Sequence, residues 1–456
     1  MPLDGTTLSH LRGTLEGRLL TPADADYDRA RTVFYGGIHR RPGAIAQVEN
    51  SDDVRRVVTW ARDQEVELAV RGGGHSFAGH SLSDGGIVLD LQNMRAVDID
   101  PEHRTAWAEA GLTAGEYTKA AGAYDLATGF GDTGSVGIGG LTLGGGVGYL
   151  VRKHGLTIDD LLATDVVTAD GRLVRADSQT HPDLFWAIRG GGGNFGVVTR
   201  FRFRLHLVDS FVGGFLVLPA TPEVVASFIA EAEDAPDELS TIANVMPAPP
   251  MPFLPQELHG RLIVFAIMAY AGPVEAGDSV LAPFRKLGPP LADMVRPIPY
   301  PEIYMPEPED YHPTAVARTM FLDRIDLGVA QEIVARLESS DAAVRVAQLR
   351  VLGGAMARVP AEATAFAHRA SRIMVNLAAF YEGADDRPGR EAWVIGFEAA
   401  LRQGDAGRYV NFLGDEGQAI VRRAYPSPAW DRLVAVKRRY DPGNLFHVNQ
   451  NIPPET

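Results

Sequence analysis

Hydrophobic and polar positions follow helical spacing in some stretches and strand spacing in others, so the chain predicts a mixed fold. Ser51 is placed to cap a helix, because apolar residues at 54, 57, 58 and 61 recur behind it at helical spacing. Short β-rich runs predict strands over 68–71, 87–91 and 105–108, and 113–124 predicts a second helix. A hairpin is predicted over 164–168 and 172–176, and alternating apolar residues and arginines predict a half-buried strand over 197–205.

The pattern changes after about residue 207. Glycine becomes sparser, proline becomes frequent between 247 and 255, and strands are predicted over 215–218, 262–269, 343–351 and 373–378. Thr221 and Pro222 open a helix that follows the first of these strands. Because the turns between these strands and helices are not glycine-rich, this part predicts an antiparallel sheet with helices on one face.

These patterns predict an α+β fold in three segments. Residues 1–207 form a first domain whose core runs from about 40 to 207, and residues 208–405 form an inserted domain. Residues 406–456 contain two helical stretches and a tail that returns to the first domain. No fixed period of 20 to 50 residues is visible, so a repeat protein is excluded.

Composition and charge narrow the function classes. The 456 residues are 45% hydrophobic and 22% charged, which is typical of a globular protein. The net charge of −15 repels phosphate backbones and anionic lipids, so nucleic-acid and membrane partners are not expected. The chain has no cysteine, which excludes disulfides and thiolate nucleophiles, and its oligomeric state is left open. Residues 1–20 lack the continuous apolar core of a signal peptide, and from this we expect a cytoplasmic location.

Glycine is concentrated in four runs, at 71–76, 133–140, 144–148 and 189–196. Such runs let backbone N–H groups approach a ligand closely, and several of them predict a large polyanion such as a dinucleotide pyrophosphate. One G-x-G-x-x-G is formed by Gly191, Gly193 and Gly196. A predicted helix precedes it and a strand follows, which is the reverse of the Rossmann order.

His75 lies inside the first glycine run, where a bulky imidazole is an unusual residue for a tight turn. The sequence contains no H-E-x-x-H metal motif, no G-x-S-x-G elbow and no P-loop motif, so no metal site is expected and hydrolase chemistry is disfavoured. An enzyme whose chemistry is supplied by a bound cofactor is therefore the favoured class of protein.

Motifs at both ends of the chain resemble those of FAD-linked oxidases of the vanillyl-alcohol oxidase superfamily. They are RGGGHS at 71–76, GIVLDL at 86–91, GIGG at 137–140, GGG at 144–146, LFWAIRG at 184–190 and NFGVV at 194–198. The tail carries YVN at 409–411, YDPGNLF at 440–446 and NQN at 449–451, and it is similar to the C-terminal signature of berberine bridge enzyme-like proteins. The resemblance implies a PCMH-type FAD-binding domain with an inserted substrate domain.

The resemblance also implies a cofactor and the residues that hold it. FAD would be joined covalently to His75 through the flavin 8α-methyl group. A single link is expected, because Thr133 stands where many relatives have a second linking cysteine. The other matched cofactor positions are Arg71, Gly72, Gly73, Gly74, Ser76, Thr133, Gly134, Ser135, Gly137, Gly139, Gly140, Gly144, Gly196, Val198, Asn411 and Asn449.

The implied reaction is hydride transfer from a small organic substrate to FAD, which O2 reoxidises with release of hydrogen peroxide. Tyr409 stands at the family's catalytic position and is the candidate base for a substrate O–H or N–H proton. A free tyrosine has a pKa of about 10, so action as a base near pH 7 needs a nearby cation or a concerted transfer, and Arg358 and Arg369 are the candidates for the cation. A neutral amine substrate would need no base.

Three further positions bear on oxygen and substrate. Val136 matches the place near flavin C4a where relatives that are oxidases have a small residue and dehydrogenases a bulkier one. Phe77 and Val147 replace tyrosines of plant alcohol-oxidising relatives, which favours a small aromatic, phenolic or amine substrate. Two alternatives stay open: a flavin dehydrogenase with another electron acceptor, and a flavin-binding protein without activity.

Overall fold

The structure is a computed structural model that describes residues 3–308 and 310–455. Within them the α-helices are α1 Gly5–Thr14, α2 Tyr27–Ala30, α3 Ser51–Asp63, α4 Ala114–Gly122, α5 Ile138–Leu143, α6 Val151–His154, α7 Pro182–Ile188, α8 Pro222–Asp234, α9 Val274–Arg285, α10 Leu327–Glu338, α11 Ala355–Arg358, α12 Arg387–Leu401, α13 Gln418–Ala424 and α14 Ala429–Tyr440. Among these helices, none combines the length and apolar composition needed to cross a bilayer.

The strands number nineteen in the described part of the chain. They are β1 Arg18–Leu20, β2 Ala44–Gln47, β3 Leu68–Arg71, β4 Ile87–Asp90, β5 Val97–Asp100, β6 Thr105–Glu109, β7 Leu126–Ala127, β8 Leu161–Val167, β9 Leu173–Asp177, β10 Val197–Arg204, β11 His206–Leu207, β12 Val212–Pro219, β13 Leu239–Pro247, β14 Leu262–Tyr270, β15 Ala292–Asp293, β16 Arg296–Pro297, β17 Ala315–Leu322, β18 Arg345–Val351 and β19 Ile373–Phe380. Short 3-10 turns lie at Thr157–Asp159, Gln256–Leu258, Tyr300–Ile303, Ala361–Ala363 and Val410–Phe412.

The first part of the chain contains two main sheets. One has the order β1-β2-β4-β3, with β4 parallel to both β2 and β3. The other is antiparallel, with the order β5-β6-β10-β8-β9. Both sheets contribute to one hydrophobic core, which also holds the buried face of α3 and the aromatic residues of α7. The predicted strands, the hairpin and the helix-before-strand order around the G-x-G-x-x-G are confirmed.

Helix caps explain where two of the predicted helices begin. The expectation that Ser51 caps α3 is wrong: the cap is Asn50, whose side chain accepts from the N–H groups of Asp52 and Asp53. Its extended backbone lets the side-chain oxygen reach these two free donors, whereas Ser51 is already helical. α4 begins after Thr113, which forms a reciprocal capping box with Glu116.

The middle part forms one large antiparallel sheet with the order β15-β12-β14-β13-β18-β19-β17, and β16 pairs with β12. All four predicted strands are confirmed: three lie within longer strands, and the fourth, 343–351, begins two residues later, at Arg345. Strands β13 and β17 and the two-residue strands β15 and β16 were not predicted. Helices α8, α10 and α12 cover one face and share its core. On the other face, alternate residues of β17, β18 and β19 line a cavity. One face of the sheet therefore packs in the hydrophobic core, and the other face lines the cavity.

The tail packs against the first part of the chain and is held there by a buried ion pair. Trp430, Leu433 and Ile452 lie in the same core as the first two sheets. Lys437 is fully buried, and its ammonium group donates to the Asp441 carboxylate at 2.6 Å and to the carbonyls of Asn194 and Phe446 at 2.8 and 2.9 Å. All three N–H donors are thus satisfied. The fold is α+β, and the three segment bounds given by the sequence remain a prediction.

We expect Lys437→Met to lower the free energy of unfolding by about 3–5 kcal/mol, because it leaves the Asp441 carboxylate buried without its cation. Lys119→Met is the control, since this lysine on α4 is exposed and its loss should change stability by less than about 0.5 kcal/mol. Urea unfolding of both variants measures the difference. Equal midpoints would show that the buried pair does not hold the tail.

Candidate active site

A cavity of about 640 Å³ lies where the three parts of the chain meet. The glycine loops around 72–76 and 131–147 form one side, and strands β17 to β19 form another. The tail closes it with residues 409–413 and 446–450. A cavity of this size, at the junction of several elements, is the usual place for a cofactor together with its substrate.

The first two glycine loops touch each other through their backbones. A Cβ atom at Gly73 would lie 2.2 Å from the backbone nitrogen of Gly137, and one at Gly137 would lie 2.3 Å from that of Gly73. Neither position can carry a side chain unless the backbone moves. Gly74 has a φ of +74°, a conformation that glycine adopts without strain. The glycines therefore bring His75 and the residues around 135 to within bonding distance.

Most of the predicted site residues line this one cavity. They are Gly72, Gly73, Gly74, His75, Ser76, Thr133, Val136, Gly137, Gly139, Gly140, Gly196, Val198, Tyr409, Asn411 and Asn449. Arg71, Gly134, Ser135 and Gly144 do not line it. Residues more than 370 positions apart, such as His75 and Asn449, are thus brought together by the fold.

Three of the four that do not line the cavity support residues that do. The Arg71 guanidinium is buried and bonds Asp90 and the carbonyl of Ala30, both at 2.5 Å, so it anchors the glycine loop and does not face a ligand. A Cβ atom at Gly144 would lie 1.9 Å from Oδ1 of Asn411, so the missing side chain makes room for that amide. Gly134 is the exception, since a Cβ atom there would lie 3.3 Å from Cβ of Tyr304, which does not line the cavity.

His75 is held between a ring and a hydroxyl group. Its imidazole stacks on Phe34 with the ring centroids 4.1 Å apart, and its Nε2 atom lies 3.1 Å from Oγ of Ser135. The same Ser135 hydroxyl donates to the Glu307 carboxylate. Burial lowers the pKa of His75 to about 4, partly opposed by Ser135 and by the charge of Asp132, so the ring is neutral near pH 7.

The hydroxyl oxygen of Tyr409 receives three hydrogen bonds. The N–H groups of Gly146 and Val147 donate to it at 3.1 and 3.3 Å, and the Asn411 amide donates at 3.0 Å. The other hydrogen of that amide goes to the Leu141 carbonyl, which fixes the orientation of the amide. Among the described residues, no acceptor receives the phenol hydrogen of Tyr409. Three donors around one oxygen favour the phenolate form.

The cation that acts on Tyr409 is Arg350. Burial raises the pKa of this phenol, while the three hydrogen bonds and the Arg350 charge oppose the rise. Arg350 is almost fully buried and pairs with Asp132. The expectation that Arg358 or Arg369 supplies the charge is wrong, because Arg358 bonds Asp237 at the surface and Arg369 bonds Asp159 with two nitrogens.

Several cavity residues were missed by the sequence analysis. Gln348, Arg350 and Asn376 lie on the ligand-facing side of β18 and β19, with Gln348 directly opposite Asn376. Part of the signal was present, because Gln348 and Arg350 alternate with apolar residues along β18 and indicate a polar face, whereas Asn376 is the single polar residue of β19 and neither pattern assigns a role. Glu307 gives no such signal, since it lies in a proline-rich loop and reaches the cavity only through tertiary packing.

The residues around the cavity fit a large dinucleotide. Cβ atoms at Gly140 and Gly193 would point into open space, so the backbone there is free to approach a ligand. The buried oxygens Oη of Tyr425, Oδ1 of Asn376 and Oδ1 of Asn449 have no hydrogen-bond partner within the described residues, and all three residues line the cavity. Buried polar atoms of this kind are normally satisfied by a bound group. The fold and the cavity thus define a dinucleotide-binding protein.

Comparison with known proteins identifies the family. Residues 42–177 match the family described as FAD binding domain, and residues 408–453 match berberine and berberine like. The chain is 30% identical over 460 residues to (R)-6-hydroxynicotine oxidase of Paenarthrobacter nicotinovorans, covering 97% of this chain and 98% of that protein. It is 28% identical over 451 residues to xylooligosaccharide oxidase of Thermothelomyces thermophilus, covering 91% and 87%.

The fold agrees with this assignment. The crystal structure of 6-hydroxy-D-nicotine oxidase from Arthrobacter nicotinovorans has a TM-score of 0.86 at 28% identity and covers 99% of this chain and 100% of that one. The chain therefore belongs to the FAD-linked oxidoreductases of the berberine bridge enzyme-like family, with a PCMH-type fold. It is an enzyme, and its cofactor is FAD.

Proposed function

We propose that this enzyme is an oxidase that takes a hydride from a small organic substrate and is reoxidised by O2 with release of hydrogen peroxide. The observation that carries the proposal is Tyr409, which lines the cavity and whose oxygen is surrounded by three hydrogen-bond donors. A phenol held in this way is suited to take a proton from a substrate hydroxyl or amine. We also propose a cytoplasmic location.

FAD, when bound, supplies the hydride acceptor and passes the electrons on to oxygen. His75 would attach it by a single covalent bond, because Thr133 offers no sulfur for a second one. The glycine loops would approach its phosphates and ring with backbone N–H groups, and Asn411 and Asn449 would lie beside it from the tail. Gly196 and Val198 would line the adenosine end.

In this proposal Tyr409 acts as the base, and its neighbours set its acidity. The N–H groups of Gly146 and Val147 and the Asn411 amide stabilise negative charge on the phenol oxygen. Arg350 adds a positive charge, while burial works in the opposite direction. The phenolate form of Tyr409 would accept the substrate proton, in concert with hydride loss from the substrate.

The proposed substrate is a small aromatic, phenolic, alcohol or amine molecule. The cavity walls carry Phe34, Tyr35, Phe77, Tyr311 and Phe380, whose rings favour a flat apolar body. Gln348, Arg350 and Asn376 add polar groups to the lining, and Asn376 shares one face of β19 with Phe380. The similarity to (R)-6-hydroxynicotine oxidase supports an amine that carries an aromatic ring, and the similarity to xylooligosaccharide oxidase supports an alcohol as the alternative.

The attachment at His75 gives the first test of this proposal. We expect the purified enzyme to stay yellow after acid precipitation, and His75→Ala to contain only flavin that acid releases. His80→Ala is the control, because this second histidine also lines the cavity but is not proposed as the link. Absorbance of the acid pellet measures the outcome. Complete release of flavin from the wild type would contradict covalent attachment.

The base function of Tyr409 gives the second test. Tyr409→Phe removes one oxygen and little volume, so folding and flavin content should be preserved. We expect the rate of flavin reduction by substrate to fall by about 10²- to 10⁴-fold, the usual effect of losing a positioned base. Anaerobic stopped-flow absorbance measures this rate. An unchanged rate of flavin reduction would show that Tyr409 is a packing residue and not the base.

The pH dependence of reduction tests the role of Arg350. Because burial raises the pKa of Tyr409, the reduction rate should rise with pH until the phenol ionises. Arg350 lowers the pKa of Tyr409, so Arg350→Gln should shift this rise to higher pH. Arg358→Gln is the control, since its side chain bonds Asp237 at the surface and should leave the profile unchanged. Coincident profiles for all three proteins would contradict the assignment.

Val136 gives a test of the oxidase assignment. Its side chain is half-buried and lines the cavity, so one added methylene would fill space that oxygen needs. We expect Val136→Leu to slow reoxidation roughly 10- to 100-fold, with little effect on reduction. Val136→Ala should be at least as fast as the wild type. Mixing reduced enzyme with aerated buffer measures these rates, and a slow wild type would favour a dehydrogenase.

A further inference from the structure

Two consecutive hydrogen bonds connect His75 to a carboxylate from the middle part of the chain. The Nε2 atom of His75 lies 3.1 Å from Oγ of Ser135. That hydroxyl also bonds Oε2 of Glu307, which is 172 positions away in sequence. The packing of the inserted sheet and its loops against the glycine loops therefore determines the surroundings of the imidazole.

The hydrogen bonds of Ser135 determine which nitrogen of His75 carries the hydrogen. A serine hydroxyl has one hydrogen to donate, and a carboxylate only accepts, so the hydrogen of Ser135 points to Glu307. The bond to His75 must then use a lone pair of the same oxygen, which requires a hydrogen on Nε2. The other ring nitrogen, Nδ1, is left with a lone pair. Within the described residues Nδ1 has no hydrogen-bond partner, and His75 lines the cavity.

We propose that Ser135 and Glu307 are positioning residues for flavin attachment: together they keep the hydrogen of His75 on Nε2 and present Nδ1 as the nucleophile. The inference rests on the proposed attachment at His75. It specifies which nitrogen of the imidazole forms the bond and which residues select that nitrogen. Ser135 was expected among the cofactor positions but does not line the cavity, and Glu307 was not among those positions.

The attachment step balances in atoms and electrons. A bond forms between Nδ1 and the 8α carbon of the flavin, while that carbon loses one hydrogen as a proton. The electron pair of the broken C–H bond passes into the flavin ring system, and dioxygen removes it. The released proton and one more from solvent complete hydrogen peroxide. The imidazole keeps its Nε2 hydrogen and becomes a cation.

The same neighbours stabilise the product of this step. Burial lowers the pKa of His75 to about 4, so a positive imidazole in this place needs compensation. The Glu307 carboxylate, acting through Ser135, supplies negative charge, and Asp132 acts in the same direction. The face of the Phe34 ring, stacked on the imidazole at 4.1 Å, adds a cation–π attraction.

The experiment measures two quantities for each variant: total flavin per chain and flavin that stays in the acid pellet. The full chain is produced under riboflavin limitation, FAD is added, and both quantities are followed over time. The variants are Ser135→Ala, Glu307→Ala and Glu307→Gln. Glu302→Gln is the matched control, because this carboxylate lies a few residues earlier, is exposed and does not line the cavity.

We expect Ser135→Ala and Glu307→Ala to attach FAD about 10- to 100-fold more slowly while still binding it, the range for losing a hydrogen bond to a charged group. Glu307→Gln should recover part of the rate, since its amide oxygen still accepts from Ser135. A defect in folding would lower total flavin together with attached flavin, and that result would overturn the proposal.

Two further outcomes separate this proposal from the one on which it rests. Wild-type attachment with unchanged rates in both alanine variants would overturn the role of Ser135 and Glu307 and leave attachment at His75 intact. A wild type without acid-stable flavin would overturn the covalent bond itself, and this inference with it.

Discussion

The backbone contact between Gly73 and Gly137 is the constraint on which the site depends. The two loops come from separate elements, one after β3 and one before α5, and they approach until a single methyl group would collide with the opposite main chain. This approach places Ser135 within hydrogen-bond distance of His75 and puts Val136 on the same wall of the cavity. Close packing of this kind leaves little room for adjustment, so the geometry is fixed by absence of side chains.

The tail brings the second set of functional groups to this wall. Lys437 ties it to the main chain at Asn194, and Gly144 leaves space for the Asn411 amide. With Asn411 in place, its two hydrogens reach Leu141 and the Tyr409 oxygen. Tyr409, the proposed base, therefore receives two of its three hydrogen bonds from a glycine loop that lies more than 260 positions earlier in the sequence. A substitution at the tail anchor would thus act on the active site as well as on stability.

The sequence predicted local features well and tertiary ones poorly. Glycine runs are visible in a sequence because the residue itself is informative, and they led to His75 and the cavity wall. Strand β13 was missed since Ser240, Thr241 and Asn244 interrupt its apolar run, although the first two are buried in the sheet. Arg350 and Glu307 could not be assigned, because their roles follow from which residues face them across the cavity and not from their neighbours in sequence.

The ion pair between Asp132 and Arg350 acts on both His75 and Tyr409. Asp132 lies next to the glycine loop, where its charge raises the pKa of His75, and it pairs with Arg350, which lowers the pKa of Tyr409. Asp132 thus acts on His75 and Arg350 acts on Tyr409, and each charge weakens the field of the other. Removing the arginine would leave Asp132 uncompensated, which favours a positive charge on His75 and a neutral Tyr409. His75 and Tyr409 are therefore electrostatically coupled through an ion pair that hydrogen-bonds neither the imidazole nor the phenol oxygen.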